Sequence, residues 1–350
     1  KDDIAEVWAS ESRIFWTGKH FRVDHDHLIP KKVVRIDTGM HALAKTRGDQ
    51  FKLVKTKWGR TVLRCSPAVL ELMECARTCD THLVRTYLLR HKFSPYFEAF
   101  ERHIWRIQRL RDVAANEYEL DRMNRWIEEL RSELNNSTFR KIVDRQTRTA
   151  NKNAAGMRAF INGVFRQRGK VLAIRIDVGY SHDPDDASVH WEPPPDEVVK
   201  KQMASLVLSI KRNVPGKAKV VWKLEWGAAK GHHGHLLILC RGSEVRQGIT
   251  WGRKIGEKWL KITGGAGCYW NCNANEKLFQ SLGRRGIGLI NYTDEVGRRN
   301  LMNVAMYIVK ADMYARFISP SIRRTFGKSQ LKEKKGGKRR GRPRKYAEAG

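Results

Sequence analysis

The sequence predicts an α+β protein in three parts: a mainly helical first half, an antiparallel β-sheet domain, and a disordered basic tail. Three observations carry this. Before about residue 165, apolar side chains recur at three- and four-residue steps, the mark of amphipathic helices. From Lys170 the pattern changes to β-branched alternation. From about Ser321 the chain turns strongly cationic. With 350 residues, 41% of them hydrophobic, it is long enough to bury a full core and suggests two domains.

The elements follow in order. In residues 1–165, Phe97, Phe100, Ile104 and Ile107 mark one helix, and Leu120, Met123, Ile127, Leu130 and Leu134 another. In residues 166–320, Lys170 to Val178 reads as a strand. A Pro-rich turn at Pro193–Pro195 leads into a helix with Val199, Met203, Leu206 and Ile210 on one face, which ends at Pro215-Gly216. Lys219 to Trp226 and His233 to Cys240 are the second and third strands. Trp251, Ile255, Trp259 and Ile262 mark a helix, Gly288 to Tyr292 a short fourth strand, and Asn300 to Phe317 a last helix. This β-α-β-β-α-β-α order fits a ferredoxin-like or split βαβ sheet with helices on one face. Residues 321–350 form the tail. Residues 321–345 hold 12 Lys/Arg against a single acid, too little apolar surface to offset the entropy of ordering.

Charge points to the partner. The chain has 68 Lys+Arg against 37 Asp+Glu, a formal net charge of +31. Such a surface attracts polyanions, nucleic acid before an anionic membrane. No apolar run approaches the roughly 18–20 residues that cross a bilayer, and no signal peptide is visible. The expected setting is a reducing cytoplasm with no membrane partner. Cys65, Cys75, Cys79, Cys240, Cys268 and Cys272 are too sparse for a disulfide scaffold. Their two Cys-x3-Cys pairs have no histidine at finger spacing, so they read as unbridged thiols.

The sharpest local feature is Gly231-His232-His233-Gly234-His235 ahead of the apolar run Leu236–Leu239. Residues two apart in a strand share a face. His233 and His235 therefore project together, and His232 points the other way. In the preceding strand Glu225 shares a face with Lys223 and Val221, and in the first strand Arg175 shares one with Asp177. Two imidazoles and a carboxylate can hold a divalent ion, Mg2+ or Mn2+, with positions open to a phosphate. A second HxH, His25-Asp26-His27, lacks a following apolar strand and reads as loop.

In the last helix, Asn303, Tyr307, Lys310 and Tyr314 fall on one stripe, opposite the core-facing Leu301, Val304, Ala305 and Ile308. A tyrosine one turn before a lysine makes a nucleophile with an electrostatic helper. On its own, the same spacing more often marks a packing tyrosine.

Taken together and in this order, Glu225, His233-Gly-His235 and Tyr307-x-x-Lys310 resemble the motifs of HUH replication initiators. The phrases VLAIRIDVGYS, LEWGAAKGHHGHLLIL and VAMYIVKAD resemble the inovirus-type replication protein family, also called the YagK/YfjJ C-terminal domain, over roughly residues 90–330. Gly234 departs from the pattern, which has a bulky hydrophobic between the histidines. The resemblance implies an HUH endonuclease domain. Glu225, His233 and His235 would hold the metal on the scissile phosphate. Tyr307 would attack, leaving a 5′-phosphotyrosine and a 3′-hydroxyl that primes rolling-circle replication, with Lys310 assisting. A single nucleophile is the simpler reading, with Tyr314, on the same stripe, as a second tyrosine only in a minor, two-tyrosine strand-transfer alternative. The implied partners are single-stranded and duplex origin DNA and host replication proteins, in a bacterial cytoplasm.

The tail carries Arg340-Gly341-Arg342-Pro343-Arg344, which resembles an AT-hook. Glycine lets the backbone approach the floor of the groove, and the arginines extend along the narrow A·T minor groove. Trp251, Trp259, Tyr269 and Trp270 offer rings for base stacking, although the spacing of Trp251 and Trp259 suits a core. Two alternatives stay open: a non-catalytic regulator that binds AT-rich DNA, and a relaxase or transposase of the same chemistry.

Overall fold

The structure, a computed structural model, describes residues 14–16, 21–23, 28–110, 116–181, 192–228, 230–275 and 286–331. The chain is α+β, with antiparallel sheets and a mostly helical N-terminal part. After two short strands, β1 (Ile14–Trp16) and β2 (Phe21–Val23), come helix α1 (Ile29–Lys45), a hairpin of β3 (Phe51–Lys55) and β4 (Thr61–Cys65), α2 (Pro67–Thr78), α3 (Thr81–Tyr87), β5 (His91–Phe93), α4 (Pro95–Arg109), α5 (Glu117–Asn135) and the long α6 (Ser137–Gln167). Helix starts follow local chemistry. The side chains of Ser66, Asp80, Ser94, Asn116 and Asn136 accept bonds from otherwise orphaned backbone N–H groups, with proline in the first turn of α2 and α4.

The second half holds β6 (Lys170–Tyr180), α7 (Asp196–Asn213), β7 (Lys219–Gly227), β8 (Gly231–Arg241), α8 (Gly248–Ile262), β9 (Gly267–Asn271), β10 (Gly288–Asn291), α9 (Glu295–Lys310), β11 (Ala315–Phe317) and β12 (Phe326–Lys328). The main sheet runs β10–β6–β8–β7–β12. One edge is shared: β10 pairs the start of β6 and β9 pairs its end.

Both faces of this sheet are covered, where the sequence suggested one. Leu172, Ile174, Ile176, Val220, Leu236 and Ile238 pack under α7 and α8. On the other face Val171, Ala173, Val221, Leu237 and Leu239 join a core shared with α6, α9 and the N-terminal helices. That second face is apolar only along half its length. Further along the same strands it turns polar, through Arg175 and Asp177, Lys223 and Glu225, and His235 and His233.

Several elements differ from the sequence expectation: β9, absent from that expectation, pairs the end of β6, while the expected fourth strand, β10, pairs its start. The helix expected over 300–317 ends at Lys310, and a 3-10 turn (Ala311–Met313) leads into β11. β11 pairs with β5 of the first half, Phe317 opposite His91. Residues 326–328, expected in the tail, form β12 on the edge of the main sheet beside β7. Among the described residues no helix is long and apolar enough to cross a membrane, and none of the six cysteines is in a disulfide.

Candidate metal centre

The β7–β8 hairpin builds the centre. Its register sets Glu225 directly opposite His233 and Lys223 opposite His235, while β6 sets Asp177 opposite His235 on the other side. One ligand atom from each of Glu225, His233 and His235 lies within 4.8 Å of the others. This is the set read from the sequence.

Each imidazole is held by its Nδ1. In His233 that atom lies 3.1 Å from the Gly231 carbonyl, and in His235 it lies 2.7 Å from Asp177 Oδ1. Both partners are acceptors, so the Nδ1 atoms donate and each Nε2 is left as the nitrogen that faces the ion position. Glu225 Oε2 stands 3.7 Å from His233 Nε2 and 3.5 Å from His235 Nε2. Those separations are long for hydrogen bonds. They come close to the spacing, about 3.0–3.4 Å, that two ligands keep around one ion at about 2.1 Å.

The other carboxylate oxygen is fixed from behind. Lys223 Nζ is buried 2.9 Å from Glu225 Oε1 and 2.8 Å from Asp312 Oδ1. Burial opposes the charge on Lys223, but the two carboxylates outweigh it and hold its pKa above the ordinary value. Burial likewise opposes the charge of Glu225, and Lys223 with the two imidazoles brings its pKa well below the usual carboxylate range. Burial pulls His235 down, yet Asp177 and Glu225 raise it to about 10. The acids thus attract a cation to this position, a proton where no ion is bound. His233 is lowered, burial outweighing Glu225.

The structure gives Gly234 a reason. A Cβ there would lie 2.2 Å from Met203 Cε and 3.2 Å from Val178 Cγ2. Methionine from α7 fills the space that a side chain between the histidines would need. His232 points to the opposite face, as its strand parity requires. Its Nε2 lies 2.8 Å from Asp196, at the start of α7, and 3.3 Å from Arg90.

Tyr307 reaches this neighbourhood, but not on an exposed stripe. It is only 4% exposed, because α9 lies between the sheet and α6. Its ring centroid is 6.2 Å from that of His235, edge to face, and the Arg175 guanidinium lies 5.9 Å from its centre. Asn303 is exposed, as expected. Tyr314 does not share the stripe: it follows the 3-10 turn, is buried, and its carbonyl accepts the Ser94 N–H of α4's cap. Lys310 closes α9, and its side chain lies outside the described set. So do Arg340, Gly341, Arg342, Pro343 and Arg344, and His25 and His27. Of the stacking candidates, Trp259 is core: 1% exposed, it donates to the Gly179 carbonyl. Trp251, Tyr269 and Trp270 are half-buried.

The sequence reading missed what stands across from the triad. An open cleft is lined by Glu225, His233 and Lys223 of the hairpin and by Tyr87, His91 and Phe317. His91 Nδ1 is buried without a hydrogen-bond partner among the described residues. Burial, opposed by Glu225 and reinforced by Lys223, lowers this histidine to about 4, so it is neutral near pH 7. No local signal marks His91. It arrives through the β5–β11 pairing, which joins distant parts of the chain. No protein-family model, curated protein or solved structure matches the chain.

Proposed function

We propose that the protein is a metal-dependent HUH-type endonuclease that nicks single-stranded DNA through a tyrosine and so starts rolling-circle replication. The observation that carries this reading is the convergence of Glu225, His233 and His235 on a single point, with the Tyr307 ring against His235. The strand order supports it too. Numbering β6, β7, β8 and β9 as first to fourth, they lie fourth–first–third–second, the order of a ferredoxin-like split βαβ sheet.

Glu225 Oε2 and the two Nε2 atoms would hold the ion, with Mg2+ or Mn2+ suited to the mixed oxygen and nitrogen set. When bound there, a divalent ion polarises the scissile phosphate and orients it. Asp177 keeps His235 in the tautomer that presents Nε2, and Lys223 turns Glu225 to present Oε2. The Tyr307 oxygen, its proton lost, attacks phosphorus. The bond from phosphorus to O3′ breaks, and O3′ takes up a proton. The products are a 5′-phosphotyrosine and a 3′-hydroxyl. The part given to Lys310 rests on its spacing in the sequence alone, and the AT-hook reading of residues 340–344 rests on their sequence. Duplex origin DNA and host replication proteins would be the further partners, in a bacterial cytoplasm.

The cleft supports a second assignment of the nucleophile. Tyr87 lines it beside Glu225 and His233, whereas Tyr307 is buried. The test is cleavage of labelled single-stranded oligonucleotides tiled across the element's origin, with Mn2+ or Mg2+. A covalent adduct lost in Tyr307→Phe and kept in Tyr87→Phe supports the first assignment, and the reverse supports the second. No adduct from any oligonucleotide, with duplex binding intact, favours a non-catalytic AT-rich DNA-binding regulator.

A further inference from the structure

The β3–β4 hairpin lies outside the site described above, and its chemistry is one-sided. Residues 50–70 contain no acid, yet Lys52, Lys55, Lys57, Arg60 and Arg64 all fall on or beside the two strands. All five are exposed. None makes an ion pair among the described residues. Lys52 and Arg64 face each other directly across the strands, and like charges so placed destabilise a hairpin. An arrangement that works against folding calls for an anion from outside.

Trp58 sits at the tip and is 79% exposed, more than any other large hydrophobic among the described residues. A single exposed aromatic is unremarkable by itself; its setting changes the reading. Lys57 Nζ lies 5.0 Å from the ring centre. Gly59, at φ 74°, turns the chain beside it, and the Thr56 N–H donates to the Arg60 carbonyl. The base of the hairpin is anchored. Phe51 is buried, and the Asn124 side chain of α5 accepts from the Gln50 and Phe51 N–H groups and donates to the Phe51 carbonyl, all within 2.9–3.0 Å. A fixed stem thus carries an aromatic ring outward between cations. Bare ring faces stack on unpaired bases whatever the base, and flanking cations hold the phosphates.

We propose that the β3–β4 hairpin is a binding element for single-stranded DNA, with Trp58 stacked on an unpaired base and Lys52, Lys55, Lys57, Arg60 and Arg64 on the backbone beside it. The choice of DNA as the strand rests on the nicking function proposed above; the stacking geometry does not.

The test measures binding by the full chain, by fluorescence anisotropy in EDTA so that no cleavage is read. The probes are a labelled DNA strand, the duplex of the same sequence and the matching RNA strand. Trp58→Ala is expected to weaken DNA-strand binding about tenfold, the scale of one lost stack, with the duplex changed less than twofold and Trp58→Phe largely restoring affinity. Lys52→Glu creates a cross-strand pair with Arg64, so its Tm should hold or rise while its strand affinity falls and the salt dependence becomes shallower. Unchanged strand affinity in Trp58→Ala overturns the proposal. So does an equal loss on strand and duplex, or a loss confined to RNA. Absence of a covalent adduct in the cleavage assay, with these binding losses intact, would count against the nicking reading and leave the hairpin in place.

Discussion

Met203 Cε, on α7, occupies the place that a side chain on Gly234, between the two site histidines, would take: a Cβ built there falls 2.2 Å away. The glycine and the methionine are a matched pair across the sheet, and the pair can be tested as one.

Gly234→Leu should cost about 1–3 kcal/mol of stability, the usual scale of overpacking. Adding Met203→Ala should return part of that loss by vacating the space. Urea unfolding of wild type, both single variants and the double variant measures the coupling. Strict additivity would mean the two residues do not share this volume.

Lys223→Met leaves Glu225 and Asp312 as buried carboxylates without their shared cation. Removing one member of a buried charged cluster typically costs about 3–5 kcal/mol. Denaturation at pH 7 is expected to show a loss of that size. A change below about 1 kcal/mol would place the lysine's charge in solvent, contrary to its burial.

Asp177→Asn should weaken binding of Mn2+ by about 10–100-fold, since the partner that orients a ligand histidine is worth that much. Direct titration of Mn2+ into the metal-free protein gives the affinity. Raising the ion to about 100 times its Kd should stabilise wild type by about 2.7 kcal/mol. In His233→Ala with His235→Ala that Mn2+-dependent rise in Tm should vanish. A rise of equal size in the double variant would place the ion elsewhere.

Asp196 ties the first half of the chain to the second. It accepts from Arg90 NH2 at 2.5 Å and from the Ser319 hydroxyl. Burial alone would raise its pKa, but these bonds outweigh burial and lower it. A lowered carboxylate contributes stability that is fully present above its unfolded value, about 3.9, and is lost as pH falls through the lower folded value. Asp196→Asn is therefore expected to be less stable than wild type at pH 6, with the gap starting to narrow below about pH 3.9 and closing below the lower folded value. Parallel pH–stability curves down to pH 2 would count against the contact.

Much of the centre was legible because a hairpin's register follows from its alternation. Apolar Val220, Leu224, Leu236 and Ile238 fix one face, so Glu225, His233 and His235 must share the other. The amphipathic helices α7 and α8 were equally plain. Elements of three residues were not. β5, β11 and β12 are too short to show a period, and each is made by its partner strand rather than by propensity. The helical period therefore runs on through Tyr314 in the sequence, and nothing in the pattern marks His91 or Asp312. The sequence puts Tyr307 on a polar stripe because its pattern shows only one core-facing side. The structure packs α9 between the sheet and α6, and both sides are buried.

The pairing of β5 with β11 also has a meaning in time. Roughly 220 residues separate the two strands, and at about 5–20 residues per second a ribosome needs about 10–45 s to make the later one after the earlier. Throughout that interval His91–Phe93 waits without its partner strand, and the apolar side of α6 that will meet α9 waits uncovered. The newborn helical half is thus an unfinished mould, and the last stretch of synthesis both closes it and brings His91 beside Glu225 and His233.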